Sequence, residues 1–158
     1  MSEIEIGRGK RGNRAWAFDD IAIVPSRRTR DPKDVSTTWK IDAYEFGLPV
    51  LGAPMDSVVS PETAVAIGKL GGLGVLDLEG LWTRYEDPTK QLAEIAGLTG
   101  AEATARMQQI YAEPIKAELI RDRIAEVRAA GVTVAGALSP QRTAEFYQTV
   151  VKAGVDIF

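Results

Sequence analysis

One order of residues occurs twice along the chain and limits what it can fold into. Leu48-Pro49-Val50-Leu51-Gly52-Ala53 is a short apolar run, and Ser60-Pro61 follows as a helix start. Ser60 suits the N-cap, Pro61 the first turn and Glu62 the positive end of the helix dipole. Ala64, Ile67, Gly68 and Gly71 fall on one helical face, Gly71-Gly72 stops the helix, and Leu73-Gly74-Val75-Leu76 is the next apolar run. Further on, a helix carrying Ile120, Ile124 and Val127 stops at Gly131, and residues 132–138 read as a strand. Ser139-Pro140 opens another helix with Tyr147, Val150 and Val151 on its buried face; Gly154 ends it, and Val155-Asp156-Ile157-Phe158 starts a further strand. Uniformly apolar strands alternating with amphipathic helices imply parallel pairing with both faces covered. The strand starts near Leu48 and Leu73 are about 25 residues apart, and those near Val132 and Val155 about 23, each the size of one βα unit.

The rest of the chain is organised differently. Residues 1–17 are rich in Gly, Arg and Lys, lack sustained periodicity, and read as a flexible basic arm. Arg8, Lys10, Arg11 and Arg14 could touch phosphate, although a solvated tail accounts for them. Phe18-Asp19-Asp20-Ile21-Ala22-Ile23-Val24-Pro25 is an apolar segment stopped by proline. Ser26-Arg27-Arg28-Thr29-Arg30 reads as a surface turn rather than a second anion-facing patch. Residues 35–46 carry β-branched and aromatic side chains without a helical stripe, so short antiparallel strands are expected there. Residues 85–118 are polar, Ala-rich and broken by Pro114; they read as the second helix plus an inserted helical segment at about 98–118. The last apolar run reaches Phe158, an odd place for a sheet to finish, and a whole (β/α)8 barrel needs about 250 residues. The expected fold class is therefore α/β: over residues 18–158, the first half of a (β/α)8 TIM barrel, preceded by the arm and including the short antiparallel strands. A four-stranded doubly wound domain is the alternative.

Composition narrows the chemistry. The chain has no cysteine, which excludes disulfides, thiolate catalysis and Cys-ligated zinc within these residues. It has no histidine, the commonest general base near neutral pH. A net charge of −3 makes no global case for nucleic acid or an anionic membrane. No apolar run approaches a membrane span, and the first residues lack the core of a secretion signal. A cytoplasmic protein without nucleic-acid or membrane partners is the expectation.

In parallel α/β folds, ligands bind beyond the carboxyl ends of the strands. Gly52-Ala53-Pro54-Met55-Asp56-Ser57 lies there, after the first strand. Small residues allow a ligand to approach the backbone, and Met55 offers a flexible apolar surface to a flat ring. Asp56 and Ser57 can hydrogen-bond a sugar or brace the loop, and a plain strand end with a turn carboxylate fits equally well. Asp77 and Glu79 follow the second strand, where bracing a loop is preferred to contacting a ribose. Gly71-Gly72-Leu73-Gly74 precedes its strand, the wrong order for a phosphate loop, so helix termination and close packing explain it. Ser139 is most simply a helix cap at the ligand face. Asp19-Asp20 has no placed partner and is not expected to act in catalysis.

Three of these segments together resemble a known family. Phe18-Asp19-Asp20-Ile21-Ala22-Ile23-Val24-Pro25 is similar to the segment that opens IMP dehydrogenases and GMP reductases. Pro49-Val50-Leu51-Gly52-Ala53-Pro54-Met55-Asp56-Ser57-Val58 resembles their first-strand motif, and Gly71-Gly72-Leu73-Gly74-Val75-Leu76 their second strand. The resemblance covers residues 18–81 by motif and the remainder by architecture.

It implies a (β/α)8 barrel, usually a homotetramer, in which Ala53 and Met55 line the purine nucleotide pocket and Asp56 supports the same loop. The implied reaction is attack of a cysteine thiolate on C2 of IMP, hydride transfer to NAD and hydrolysis to XMP, a step of GMP biosynthesis; K+ is a further implied cofactor. GMP reduction with NADPH, or a non-catalytic purine-nucleotide-binding barrel, are the alternatives. Where the common dehydrogenases carry a histidine after the second strand, this chain has Asp77, so cofactor contacts there are expected to differ. Their regulatory CBS domains are replaced by the helical interval, which places the chain nearest the CBS-less, IMP-dehydrogenase-related branch. The family's catalytic cysteine loop, phosphate loops and flap belong to the second half of the barrel. No catalytic residue is therefore expected in this chain, which would hold one wall of the site.

Overall fold

Side chains alternate across the central strand, and that alternation builds the two layers of the larger unit. The computed structural model describes residues 3–5, 7–24 and 30–158, which divide into units Met1–Ser36 and Thr37–Phe158.

In the first unit, where a flexible arm is expected, β1 (Glu3–Glu5) pairs antiparallel with β2 (Arg11–Asn13). Gly7 and Gly9 between them have φ of +73° and +72°, the left-handed backbone that a tight reversal requires. The Arg14 guanidinium lies 4.1 Å from the centroid of the Trp16 ring. Phe18–Asp20 is a single 3-10 turn whose Asp20 carboxylate accepts the Ala17 N–H at 3.1 Å. Phe18, Ile23 and Val24 are exposed. The expected proline stop at Pro25 and the basic turn at 26–29 lie outside the described residues.

The second unit opens with the antiparallel strands expected of residues 35–46, β3 (Trp39–Ile41) and β4 (Tyr44–Phe46), with Trp39 stacked on Phe46 at 4.8 Å. Its main sheet is parallel, in the order β5 (Leu51–Gly52), β6 (Leu73–Asp77), β7 (Ala135–Ala137). The first strand is shorter than its apolar run because Pro49 has no N–H for a ladder. The expected strand at 155–158 is reduced to one parallel bridge, Ala135 to Ile157. There Asp156 takes over a ladder position: its carboxylate accepts the Val134 N–H at 2.9 Å.

Three helices cover one face of this sheet: α1 (Pro61–Lys69), α4 (Ala117–Ala129) and α5 (Pro140–Ala153). Leu76, Val134, Ile120, Ile124, Val127, Phe146 and Val150 meet in the core between them. Gly74 has no room for a side chain, since a Cβ would sit 2.6 Å from the Ala64 Cα of α1. Close packing is thus the role of this glycine. On the other face Leu73 and Ala135 pack with Phe46, flanked by Trp39 and Ile41 of the antiparallel pair. Ser60 caps α1 as expected, its Oγ accepting the Thr63 N–H at 3.0 Å. In α5 the buried side chains are Phe146 and Val150, while Tyr147 and Val151, expected on that face, are exposed. The two rows are adjacent and both repeat every four residues; the one that meets α4 is buried. Between β6 and α4 lie a 3-10 turn at Leu81–Thr83 and two helices, α2 (Thr89–Ala96) and α3 (Gly100–Ile110). Among the described residues, no helix is long and apolar enough to cross a membrane.

Candidate functional site

The loop after β5 folds back on itself, with the Val58 and Val59 N–H groups both donating to the Met55 carbonyl at 2.9 Å. Val59 is buried in the core, and Met55 is left half exposed at the end of the strand. Next to it, the Asp56 carboxylate straddles the Leu81 N–H, with both oxygens 2.9 Å from the nitrogen. The Tyr111 hydroxyl donates to Asp56 Oδ2. Gly80 makes this possible, because a Cβ there would lie 2.2 Å from Asp56 Oδ1. Asp56 therefore ties three segments together: the loop after β5, the turn after β6 and the end of α3.

Asp77 is the last residue of β6, and its Oδ1 accepts the Glu79 N–H at 3.0 Å. Burial pushes its pKa up to about 6; the Asp56 and Glu79 carboxylates add to this, while the Glu79 N–H bond and Arg84 oppose it. Asp77 can thus hold or release a proton near neutral pH, which an ordinary carboxyl does not. Burial, reinforced by Asp56, pushes the Tyr111 phenol well above its usual range, so it remains a donor.

Met55, Asp56, Ser57 and Asp77 line one side of a cavity of about 300 Å³ beyond the strand ends. Leu92, Ile95, Met107 and Tyr111 line the other, from α2, α3 and the residue that follows α3. The lining offers two carboxylates, a phenol, a hydroxyl and two thioethers. Among the described residues, no lysine or arginine lines it. Arg84 is buried nearby with its guanidinium 5.6 Å from the Tyr111 ring, and its N–H groups donate to the carbonyls of Glu79 and Glu113. No group of three or more His, Cys, Asp or Glu among the described residues is arranged to hold a metal.

Of the residues singled out from the sequence, Met55, Asp56 and Asp77 come together in this cavity, whereas half-buried Ala53 is not among its lining. Glu79 braces a loop: its carboxylate accepts the Ser139 N–H at 2.9 Å and the Ser139 hydroxyl at 3.0 Å. Ser139 sits at the N-cap of α5, but its side chain makes no cap bond because Glu79 has taken it. The wall from α2 and α3 was not anticipated. Leu92 and Ile95, three apart, and Met107 and Tyr111, four apart, were the available signal: large apolar residues at helical spacing within an otherwise polar interval.

Comparison with known proteins places this geometry. The family described as IMP dehydrogenase / GMP reductase domain matches residues 15–158. An uncharacterized oxidoreductase of Mycolicibacterium smegmatis is 43% identical over 98% of this chain and 42% of its own length, and one of Mycobacterium leprae is 44% identical over the same shares. The chain thus spans less than half the length of the curated relatives it matches. An inosine-5'-monophosphate dehydrogenase of Methanocaldococcus jannaschii is 36% identical over 40% of this chain and 13% of its own. The crystal structure of an IMP dehydrogenase/GMP reductase-like protein from Corynebacterium glutamicum superposes with a TM-score of 0.85 at 44% identity, covering 98% of this chain and 43% of that one. Matched over nearly all of its length, the chain belongs to the IMP dehydrogenase / GMP reductase family.

Proposed function

We propose that this chain builds one wall of the purine-nucleotide site of an oxidoreductase that converts IMP to XMP with NAD. The observation that carries the reading is the meeting of the loop after β5 with the end of β6, which brings Met55, Asp56 and Asp77 to a single cavity. In this reading Met55 supports the purine ring, with Ala53 beside it on the chain. Asp56 holds the loop in place through Leu81 and Tyr111, and Asp77 faces the cofactor. The parallel order β5-β6-β7, continued by the Ile157 bridge, supports a place within a (β/α)8 barrel, as does the likeness to part of the longer C. glutamicum chain. Homotetrameric assembly in the cytoplasm belongs to the same proposal.

The cavity fits one ring of a dinucleotide and not its pyrophosphate, for which it offers no cation. NAD, when bound, accepts the hydride that leaves C2 of IMP. What the present residues do is narrower. They shape the apolar surface and place a carboxyl with a pKa of about 6 in its lining. This chain has no cysteine to form a covalent bond to C2, and K+ belongs to the proposal as a further cofactor.

The test is to supply the full-length protein with IMP and NAD and follow NADH and XMP. Formation of both supports the reading. Consumption of NADPH with GMP instead supports reduction, since the matched family spans both reactions. Binding of IMP with neither turnover supports a non-catalytic binder. Met55→Asp should abolish IMP binding without lowering the melting temperature; unchanged affinity would remove Met55 from the site.

A further inference from the structure

We propose that the α2–α3 pair is the selective wall of this cavity, and that it admits a flat nitrogen-containing aromatic ring that is neutral or positively charged, leaving phosphate outside. The proposal rests on reading the cavity as the ligand site, and it assigns a role to residues that reading leaves unused.

The first argument is where the apolar side chains of this pair go. α2 buries no residue in the protein and α3 buries only Ile110. Leu92, Ile95, Met107 and Tyr111 line the cavity instead, and Met107 and Tyr111 remain more than a third exposed. An amphipathic helix normally spends its apolar stripe on the core. Here the stripe lines the space opposite Met55. A thioether stands on each side, and thioethers are polarizable surfaces that adapt to aromatic rings.

Charge is the second argument. Asp56 and Asp77 are the carboxylates of the lining, no described lysine or arginine lines it, and the nearby Arg84 guanidinium is committed to the carbonyls of Glu79 and Glu113. An anion placed there would be desolvated beside like charge with nothing opposite. Ring N–H groups, an amide or a pyridinium would meet acceptors. Size agrees: about 300 Å³ is the lower end of ligand pockets and enough for a ring system.

Attachment is the third. The C-terminal end of α3 is held to the loops after β5 and β6 by polar bonds, Tyr111 to Asp56, the Tyr85 hydroxyl to the Ile110 carbonyl at 2.9 Å, and Arg84 to the Glu113 carbonyl, and the Arg106–Glu94 pair joins α2 to α3. These ties fix the wall without consuming its apolar face.

The experiment uses the full-length protein with methyl-labelled methionine, the Met55 and Met107 signals being assigned with Met55→Leu and Met107→Leu. Inosine, 1-methylnicotinamide and nicotinate are the probes. A shift of both methyls with inosine, with 1-methylnicotinamide, or with both, and none with nicotinate, is the expected result; whichever probe acts identifies a purine or a pyridinium ring. Met107→Ala should weaken that probe about tenfold, as expected for a partly buried thioether contact. A shift at Met55 alone overturns the wall, an equal response to nicotinate overturns the charge selection, and silence with all three probes overturns the proposal. Turnover of IMP with NAD is scored separately. A protein that makes no NADH yet shows the paired shift loses the enzyme reading and keeps the wall. One that makes NADH with a shift confined to Met55 does the reverse.

Discussion

Two helix pairs in the same unit use their apolar residues in opposite ways. α4 and α5 bury Leu119, Ile120, Ile124, Val127, Phe146 and Val150, most of them against each other and the sheet. α2 and α3 bury one residue between them, and their Leu92, Ile95 and Met107 line a cavity. The first pair is held by the hydrophobic effect and the second by hydrogen bonds and ion pairs at its ends. In the proposed reading, stability and binding are thereby separated in space. Substitutions should separate in the same way.

The largest difference is expected from truncating one residue of each pair. Ile124 is fully buried in the main core, and Ile124→Ala should cost about 2–5 kcal/mol of unfolding free energy. Leu92 lines the cavity and is partly exposed, so Leu92→Ala should cost about 1 kcal/mol or less while altering ligand affinity. Denaturant titration of both variants checks the contrast. Equal losses would mean that the α2–α3 pair is as much a part of the core as α4 and α5.

Next in size is Gly80→Ala, which acts where the two regions join. The added methyl would fall within 2.7 Å of both Asp56 oxygens and of Cγ, so the carboxylate must leave the Leu81 N–H or the turn must shift. Overpacking of this kind costs about 1–3 kcal/mol. Faster amide exchange at Leu81, together with weaker ligand binding, is the expected signature. A protected Leu81 amide would show that the loop tolerates the methyl.

How much of this was legible beforehand follows the range over which each interaction acts. The alternation of strands and helices is written locally, in apolar runs bounded by Ser60-Pro61, Gly71 and Gly154, and the parallel sheet followed from it. In α5 Val150 was legible as buried, but its row was not, because Phe146/Val150 and Tyr147/Val151 have the same spacing and only the position of α4 chooses between them. The hairpin at residues 3–13 escaped notice since two short strands carry too few residues to show a period. In the site, Met55, Asp56 and Asp77 were marked by their place after strands. Their partners Leu81, Tyr111 and Met107 were not, because contacts between distant segments leave no local pattern. Glu79 and Ser139 make the same point: a carboxylate from the end of β6 displaced the local cap that the sequence of α5 suggests.

A smaller effect concerns Asp77 and pH. Its folded pKa of about 6 lies above the ordinary value of 3.8, so the native state holds the proton more tightly than the unfolded chain. Protonated Asp77 therefore contributes stability that is full below about pH 4 and lost as pH rises through about 6. Asp77→Asn should remove that component, so stability of the variant should fall less between these values than that of the parent. Melting temperatures across the range measure the slope. An identical slope would place Asp77 in contact with solvent and remove its role as a proton-holding group in the cavity lining.

The smallest effect is expected at the ion pair that joins the cavity-lining helices. Arg106 of α3 forks onto Glu94 of α2, with Nε 2.7 Å from Oε1 and Nη2 2.9 Å from Oε2, and its remaining nitrogen bonds Gln109. The guanidinium bond holds the Glu94 carboxyl below its usual range. Both side chains are exposed, so water and salt compete with the pair and its net contribution is small. Arg106→Ala should barely move the melting temperature, and the shift should disappear in high salt. A large, salt-resistant loss would mean that this fork sets the distance between α2 and α3. The width of the cavity would then be set by a pair that salt does not loosen, and the affinity of an uncharged ring would be the same at low and high ionic strength.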